Sequence, residues 1–202
     1  MVFIIIMSVL LPMQVSPPTI SSIASSLAKK FAYKNDQRFL LVNIDRQEMY
    51  LVKNEVIEKS YRISSSKYGT GNQQGSGKTP LGVHRIAEKI GKNAKPNTIF
   101  AGRKDTGKIA TIITDSLDID TDDVTSRILW LEGLEPGINK GKGIDSRARY
   151  IYIHGTPEEG LIGTPASHGC IRMYNQDVIE LFDWVNTGTL VVIEEKVNGI
   201  NQ

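Results

Sequence analysis

The stretch from 38 to 64 reads RFLLVNIDRQEMYLVKNEVIEKSYRIS. It divides into three short runs of apolar and β-branched residues, at 38–44, 48–53 and 55–64. The links between them are Asp45-Arg46-Gln47 and Asn54, short enough only for hairpin turns, so the runs predict an antiparallel meander. Outward from it, residues 82–90, 110–115, 127–131, 150–154 and 189–193 are further strand candidates. The glycine-rich stretch 68–79 and the charged, glycine-containing stretch 132–148 read as loops, and the polar, aperiodic stretch 91–107 reads as mostly loop. The clearest helix is 175–186, where Val178, Leu181, Phe182 and Val185 recur at i, i+3, i+4 and i+7. Asn175 is its expected N-cap, Asp177 stands in the first turn where the helix dipole favours negative charge, and Gly188 is its expected C′ residue. Seven or so strands and one strong helix describe a mainly β single domain.

The 202-residue chain is 40% hydrophobic and 23% charged, values of an ordinary globular domain rather than a disordered or fibrous one. Twenty-four basic and 22 acidic side chains leave a net charge of +2, too balanced to point to nucleic acid. One cysteine, Cys170, excludes an internal disulfide and any structural zinc site needing two thiolates. Residues 2–11 form an almost uninterrupted apolar run, about half the length of a bilayer-spanning helix but fitting the apolar region of a secretory signal. A Ser/Pro-rich stretch follows. Ile20, Ile23, Leu27 and Phe31 then sit at helical spacing, predicting a short helix before Lys34. The expected organisation is a leader and linker over 1–36, a catalytic domain over 37–195 and a tail over 196–202.

Two motifs fail on their own terms. Residues 72–79 (NQQGSGKT) end like a phosphate-binding loop, but Asn72 stands where the first glycine is required and Pro80 follows where a helix should open. Asp118, Asp120 and Asp122 have the first three spacings of a calcium loop, but Asp123 replaces the turn glycine and Leu129 the bidentate glutamate.

The chemistry concentrates in residues 152–174, YIHGTPEEGLIGTPASHGCIRMY. This segment holds the one cysteine and two of the three histidines, His154 and His168. A thiol becomes a strong nucleophile once ionised, and an imidazole that takes its proton can return it to a leaving group. Gly155, Gly163 and Gly169 allow tight turns and close approach of a substrate backbone. Backbone N–H groups near Gly169 and Cys170 are candidates for oxyanion stabilisation. His168 lies two residues from Cys170, so in extended chain the two side chains point the same way and local geometry makes His168 the nearer base. The same three side chains would also suit a zinc ion with an open position.

His154-Gly155 followed by Ser167-His168-Gly169-Cys170-Ile171-Arg172 resembles the signature of the L,D-transpeptidase (YkuD-like) family of bacterial cell-wall enzymes, in its Ser-His-Gly-Cys-Ile-Arg subgroup. Residues 78–83 (KTPLGV) resemble the family's Thr-Pro-x-Gly strand entry, and the likeness extends over about residues 37–194. The resemblance implies a curved, mostly antiparallel β-sandwich with one packed C-terminal helix. It implies Cys170 as nucleophile, His154 as general base with the Gly155 carbonyl orienting its ring, Gly169 as an oxyanion backbone donor and His168 in a secondary role. The implied reaction takes the acyl group of a peptidoglycan tetrapeptide stem through a Cys170 thioester, releases the terminal D-alanine, and passes the acyl group to an amine, giving a 3-3 cross-link. Water as acceptor would instead make an L,D-carboxypeptidase, and a cell-wall binding module without activity is a third reading. No metal or organic cofactor is implied. The implied partners are peptidoglycan stem peptides and carbapenem-type inhibitors, and the implied location is periplasmic or at the cell wall. Arg172 is expected to bind a stem-peptide carboxylate, with a salt bridge to an acid such as Asp177 as the alternative. Ser167 and Tyr152, the latter by alternation with His154, are expected to line the pocket.

Overall fold

The computed structural model describes residues 16–119 and 122–200. The apolar run at 2–11 and Asp120 of the calcium-like spacing lie outside these. The expected meander is present as β1 (Arg38–Asn43), β2 (Glu48–Lys53) and β3 (Val56–Ser64), with β1 and β3 each antiparallel to β2. The β2–β3 turn is Asn54-Glu55, both at positive φ (50° and 62°), the backbone of a tight two-residue hairpin. The remaining strands are β4 (Gly82–Ile90), β5 (Thr98–Ala101), β6 (Lys104–Ile109), β7 (Val124–Gly133), β8 (Tyr152–Gly155), β9 (Ile171–Met173) and β10 (Leu190–Glu194). They hydrogen-bond in the order β4-β10-β1-β2-β3-β9-β8-β7, and β7 pairs back onto β4, so the curved sheet closes into a barrel-like sandwich. Most pairings are antiparallel; β1–β10 and β8–β9 are parallel.

Strand alternation sorts the residues between two faces. Leu40, Val42, Met49, Leu51, Ile63, Ile153, Ile171 and Met173 turn inward and form one buried cluster with Val178, Leu181 and Phe182. The last three belong to helix α2 (Asn175–Trp184), which lies where its apolar spacing predicts. Phe39, Leu41 and Val192 turn outward and are covered by helix α1 (Ile20–Phe31) through Ile23, Ala24 and Leu27. Thr19 caps α1 by a reciprocal capping box with Ser22. No helix among the described residues is long and apolar enough to cross a membrane.

Three local expectations are corrected. Within the stretch 91–107 read as mostly loop, residues 98–107 belong to the β5–β6 hairpin, which pairs with the start of β7 at Val124 and Thr125. Every residue of β6 is exposed, so no buried face wrote an apolar alternation into its sequence. Residues 110–115 form no strand; their backbone bonds the loop after β8 instead, Ile113 N–H donating to Pro157 and Ile113 C=O accepting from Gly160. Helix α2 is entered from Tyr174 and ends at Val185, not through caps at Asn175 and Gly188. Lys89 Nζ meets its last carbonyls, those of Phe182 (2.5 Å) and Val185 (2.6 Å), where a cation complements the helix dipole.

Candidate active site

Parallel pairing of β8 with β9 brings the two halves of the Cys/His segment together. The register sets His154 beside Arg172 and Ile153 beside Ile171. Ile153 and Ile171 point into the core, so Tyr152, His154, Cys170 and Arg172 share the opposite, outer face. Cys170 precedes β9 and is partly buried against Phe100, Ile128 and Tyr152. Its sulfur accepts from the Tyr152 N–H (3.4 Å), and its S–H donates to the Tyr150 carbonyl (3.4 Å).

His154 is 1% exposed, and its Nδ1 lies 2.7 Å from the Gly155 carbonyl. A carbonyl only accepts, so Nδ1 carries the proton and Nε2 is left as the basic nitrogen on the face that holds Cys170. Gly155 is a glycine for want of space: an added Cβ would sit 2.5 Å from Asn175 Oδ1 and 2.9 Å from the Thr125 carbonyl. Asn175 is buried there, accepting from the Thr125 and Ser126 hydroxyls (2.6 Å each) and donating to the Thr156 carbonyl (2.7 Å) and Glu159 (2.8 Å). That network pins the backbone that orients the His154 ring.

The loop before Cys170 is shaped by Ser167. Its buried hydroxyl donates to the Cys170 carbonyl (2.6 Å) and accepts from the Gly169 N–H (3.2 Å). Two expectations change with this. Ser167 is fully buried and staples the loop rather than lining a pocket. The Gly169 N–H, expected to stabilise an oxyanion, is engaged by Ser167, whereas the Cys170 N–H finds no acceptor among the described residues. Gly169 sits at φ 128°, a conformation that L side chains rarely adopt.

Burial is the largest influence on both reactive groups. It pushes the Cys170 thiol up to about 12; the Tyr152 N–H opposes it, Asp122 adds to it, and Arg172 and Arg149 oppose it. It pushes His154 below the ordinary imidazole range against the attraction of Asp122 and the Gly155 bond. Both shifts favour a neutral thiol and a neutral imidazole over a thiolate–imidazolium pair at rest.

Arg172 is turned into the protein interior. It is among the largest fully buried side chains. Its Nε (3.0 Å) and Nη2 (2.7 Å) donate to Asp122 Oδ1, and Nη1 lies 2.8 Å from Oε2 of the fully buried Glu158 in an ionic contact off hydrogen-bond alignment. The expected carboxylate anchor is thus an internal cation, and its partners are Asp122 and Glu158 rather than Asp177. His168 is turned toward the same carboxylate, its Nδ1 3.0 Å from Asp122 Oδ2. Asp122 itself would be raised by burial, but His154, Arg172 and His168 together carry it below the usual carboxylate range. The acidic loop therefore ties down the catalytic segment: Asp118 pairs with Lys67 (2.9 Å), the Ile119 N–H donates to Glu158 (2.7 Å), and Asp122 bridges His168 and Arg172. Residues 72–79 form a loop running directly toward β4, with Thr79 buried and accepting from the Ser66 N–H.

The model of the YkuD family, the L,D-transpeptidase catalytic domain, matches residues 37–193. The chain belongs to that family. Among curated relatives of this L,D-transpeptidase domain, YqjB of Bacillus subtilis, assigned as an L,D-transpeptidase, is 47% identical over 55 residues, covering 27% of this chain and 30% of its own length. YkuD of the same organism, assigned likewise, is 56% identical over 41 residues, 20% of this chain and 25% of its own. The matched stretches thus span less than a third of either relative. The L,D-transpeptidase structure from Xylanimonas cellulosilytica shares the fold with a TM-score of 0.50 at 18% identity, over 84% of this chain and 69% of that one.

Several residues of the L,D-transpeptidase site were not identified from the sequence. Glu158, Asn175 and Asp122 enter through long-range pairing; Asp122 had drawn notice only in the failed calcium spacing, Asn175 only as a helix cap, and Glu158 not at all. Arg149, which donates to the Gly71 (3.1 Å) and Lys78 (2.6 Å) carbonyls and is felt by the thiol, carried none.

Proposed function

We propose that the chain is a cysteine acyltransferase acting on peptidoglycan stem peptides. The observation that carries this is His154: its Nδ1 proton is committed to the Gly155 carbonyl, which leaves Nε2 basic on the strand face that Cys170 shares. Nε2 takes the Cys170 proton as sulfur attacks the carbonyl carbon of the stem's third residue, and the Cys170 N–H receives the developing oxyanion. Collapse breaks the amide bond, the terminal D-alanine leaves with the proton returned by His154, and a thioester remains. An amine of a second stem then attacks the thioester, His154 accepts its proton, and the thiolate is expelled and reprotonated, which forms a 3-3 cross-link. Carbapenems acylate the same sulfur in this reading. The apolar run at residues 2–11 supports export, placing the reaction outside the cytoplasmic membrane, where its substrate lies.

Mass spectrometry of the products from defined tetrapeptide stems tests the proposal. Cross-linked dimers with free D-alanine are the expected outcome. Shortened monomers alone would make water the acceptor and the enzyme a carboxypeptidase, and unchanged stems would overturn the substrate class.

A further inference from the structure

Burial of Arg172 leaves the site without the cation expected to meet an anionic peptide. The outer face supplies another. The β5–β6 hairpin turns through Gly102 and Arg103, at φ 54° and 68°, between the paired residues Ala101 and Lys104. Two consecutive positive φ values define the turn that favours asparagine and glycine, and an arginine there is held in a costly backbone conformation. Its guanidinium lies 4.5 Å from the centre of the Trp130 ring and 5.1 Å from that of Tyr150, and Nη1 donates to the Tyr152 hydroxyl (3.2 Å). Both tyrosines touch the nucleophile: the Tyr150 carbonyl accepts from the Cys170 S–H, and the Tyr152 N–H donates to its sulfur. The two rings flank Trp130, Tyr150 stacked at 5.9 Å and Tyr152 edge-on at 5.8 Å.

This cation has no carboxylate within ion-pairing distance among the described residues, unlike Arg172 (Asp122, Glu158), Arg85 (Glu132) and Arg147, which also lies over Trp130 but reaches Glu88 at 3.6 Å. A guanidinium fixed in plane by aromatic faces keeps its remaining N–H groups pre-ordered for bidentate binding of a carboxylate. We propose that Arg103, held on the Trp130–Tyr150–Tyr152 platform beside Cys170, is the anchor for a carboxylate of the acyl-donor peptide. This rests on the reading of the site as a peptide acyltransferase. In a stem whose third residue is a diamino diacid, two carboxylates flank the scissile bond: that of the leaving residue and that on the side chain of the third residue.

The test measures Cys170 acylation by intact mass with four donors: both carboxylates free, each amidated in turn, and both amidated. The proteins are wild type, Arg103→Gly, which suits the positive φ of the turn, and Arg103→Lys, which keeps the charge. Labelling of Cys170 by neutral iodoacetamide reports an intact thiol environment, and the melting temperature an intact fold. Wild type is expected to lose about 10- to 100-fold in acylation kcat/KM on amidation of one carboxylate, the range of a charge-assisted hydrogen bond. Arg103→Gly is expected to show the same loss with the free donor, no further loss on that amidation, and iodoacetamide labelling within about twofold of wild type; Arg103→Lys should recover part of the loss. The amidation whose effect disappears identifies the carboxylate bound. Arg103→Gly that still discriminates as wild type does, or that labels slowly and acylates slowly with every donor alike, overturns the proposal by making Arg103 a brace for the hairpin. Wild type that labels normally but is acylated by none of the donors removes the acyltransferase reading and this anchor with it.

Discussion

Replacing Arg172 with methionine should cost stability first and catalysis only through it. The guanidinium is 1% exposed at its side chain, and Glu158 is fully buried, so removing the cation strands a carboxylate whose remaining partner is the Ile119 N–H. Breaking a buried ion pair from one side costs about 3–5 kcal/mol, because the desolvation of the surviving charge is no longer compensated. Asp122 adds less, since 29% of its side chain stays in solvent and screening weakens its share. For a chain of this size each kcal/mol moves the melting temperature by roughly 2–4 °C, so Arg172→Met should melt about 6–20 °C lower. The double variant Arg172→Met/Glu158→Gln removes the stranded charge, and the two changes should couple by about 1–3 kcal/mol in its favour. Thermal and urea unfolding of the four proteins in the cycle measure this directly. If Arg172→Met melts within about 2 °C of wild type and its only defect is a raised KM, the cation faces substrate after all and the reasoning fails.

Three further outcomes are expected. With its thiol pushed up by burial, Cys170 should be alkylated by iodoacetamide at a rate that climbs about tenfold per pH unit from 7 to 10, with no plateau near the ordinary thiol range; a plateau below pH 7 would show a resting thiolate instead. Because His154 is held below the ordinary imidazole range, it stays neutral and able to accept a proton as the pH falls past about 6.5, and the acid limb of kcat/KM should lie below that value. His154→Ala should slow thioester formation by about 10²–10⁴-fold, while His168→Ala, whose ring faces Asp122, should keep most of the acylation rate; the reverse order would exchange their roles.

How much could be read in advance depended on whether the information was local. The meander over 38–64 was legible because β1 and β2, buried on both faces, read as continuous apolar runs between turn residues, and α2 because one buried face writes a period of 3.6 into its sequence. The β6 residues KDTGKI carry no such pattern, being exposed on both faces of an edge hairpin, and the Ile112-Ile113 pair mimicked a strand while anchoring an irregular segment. In the site, Cys170 and its histidines were conspicuous by spacing, but their neighbours were not. Sequence proximity favoured His168 as base, whereas the parallel β8–β9 register places His154 on the sulfur's face and Asp122 draws off His168. Arg172 looked like a substrate anchor because nothing near it in sequence forecasts Asp122, 50 residues away, as its partner.

In the proposed reaction the Cys170 sulfur becomes covalently acylated. Intact-mass measurement of the full chain incubated with a carbapenem tests it most directly. Wild type should gain the mass of a single adduct, His154→Ala should gain it far more slowly, and Cys170→Ala should gain none. An adduct on Cys170→Ala, or none on a folded wild-type protein whose thiol still alkylates, would contradict the account.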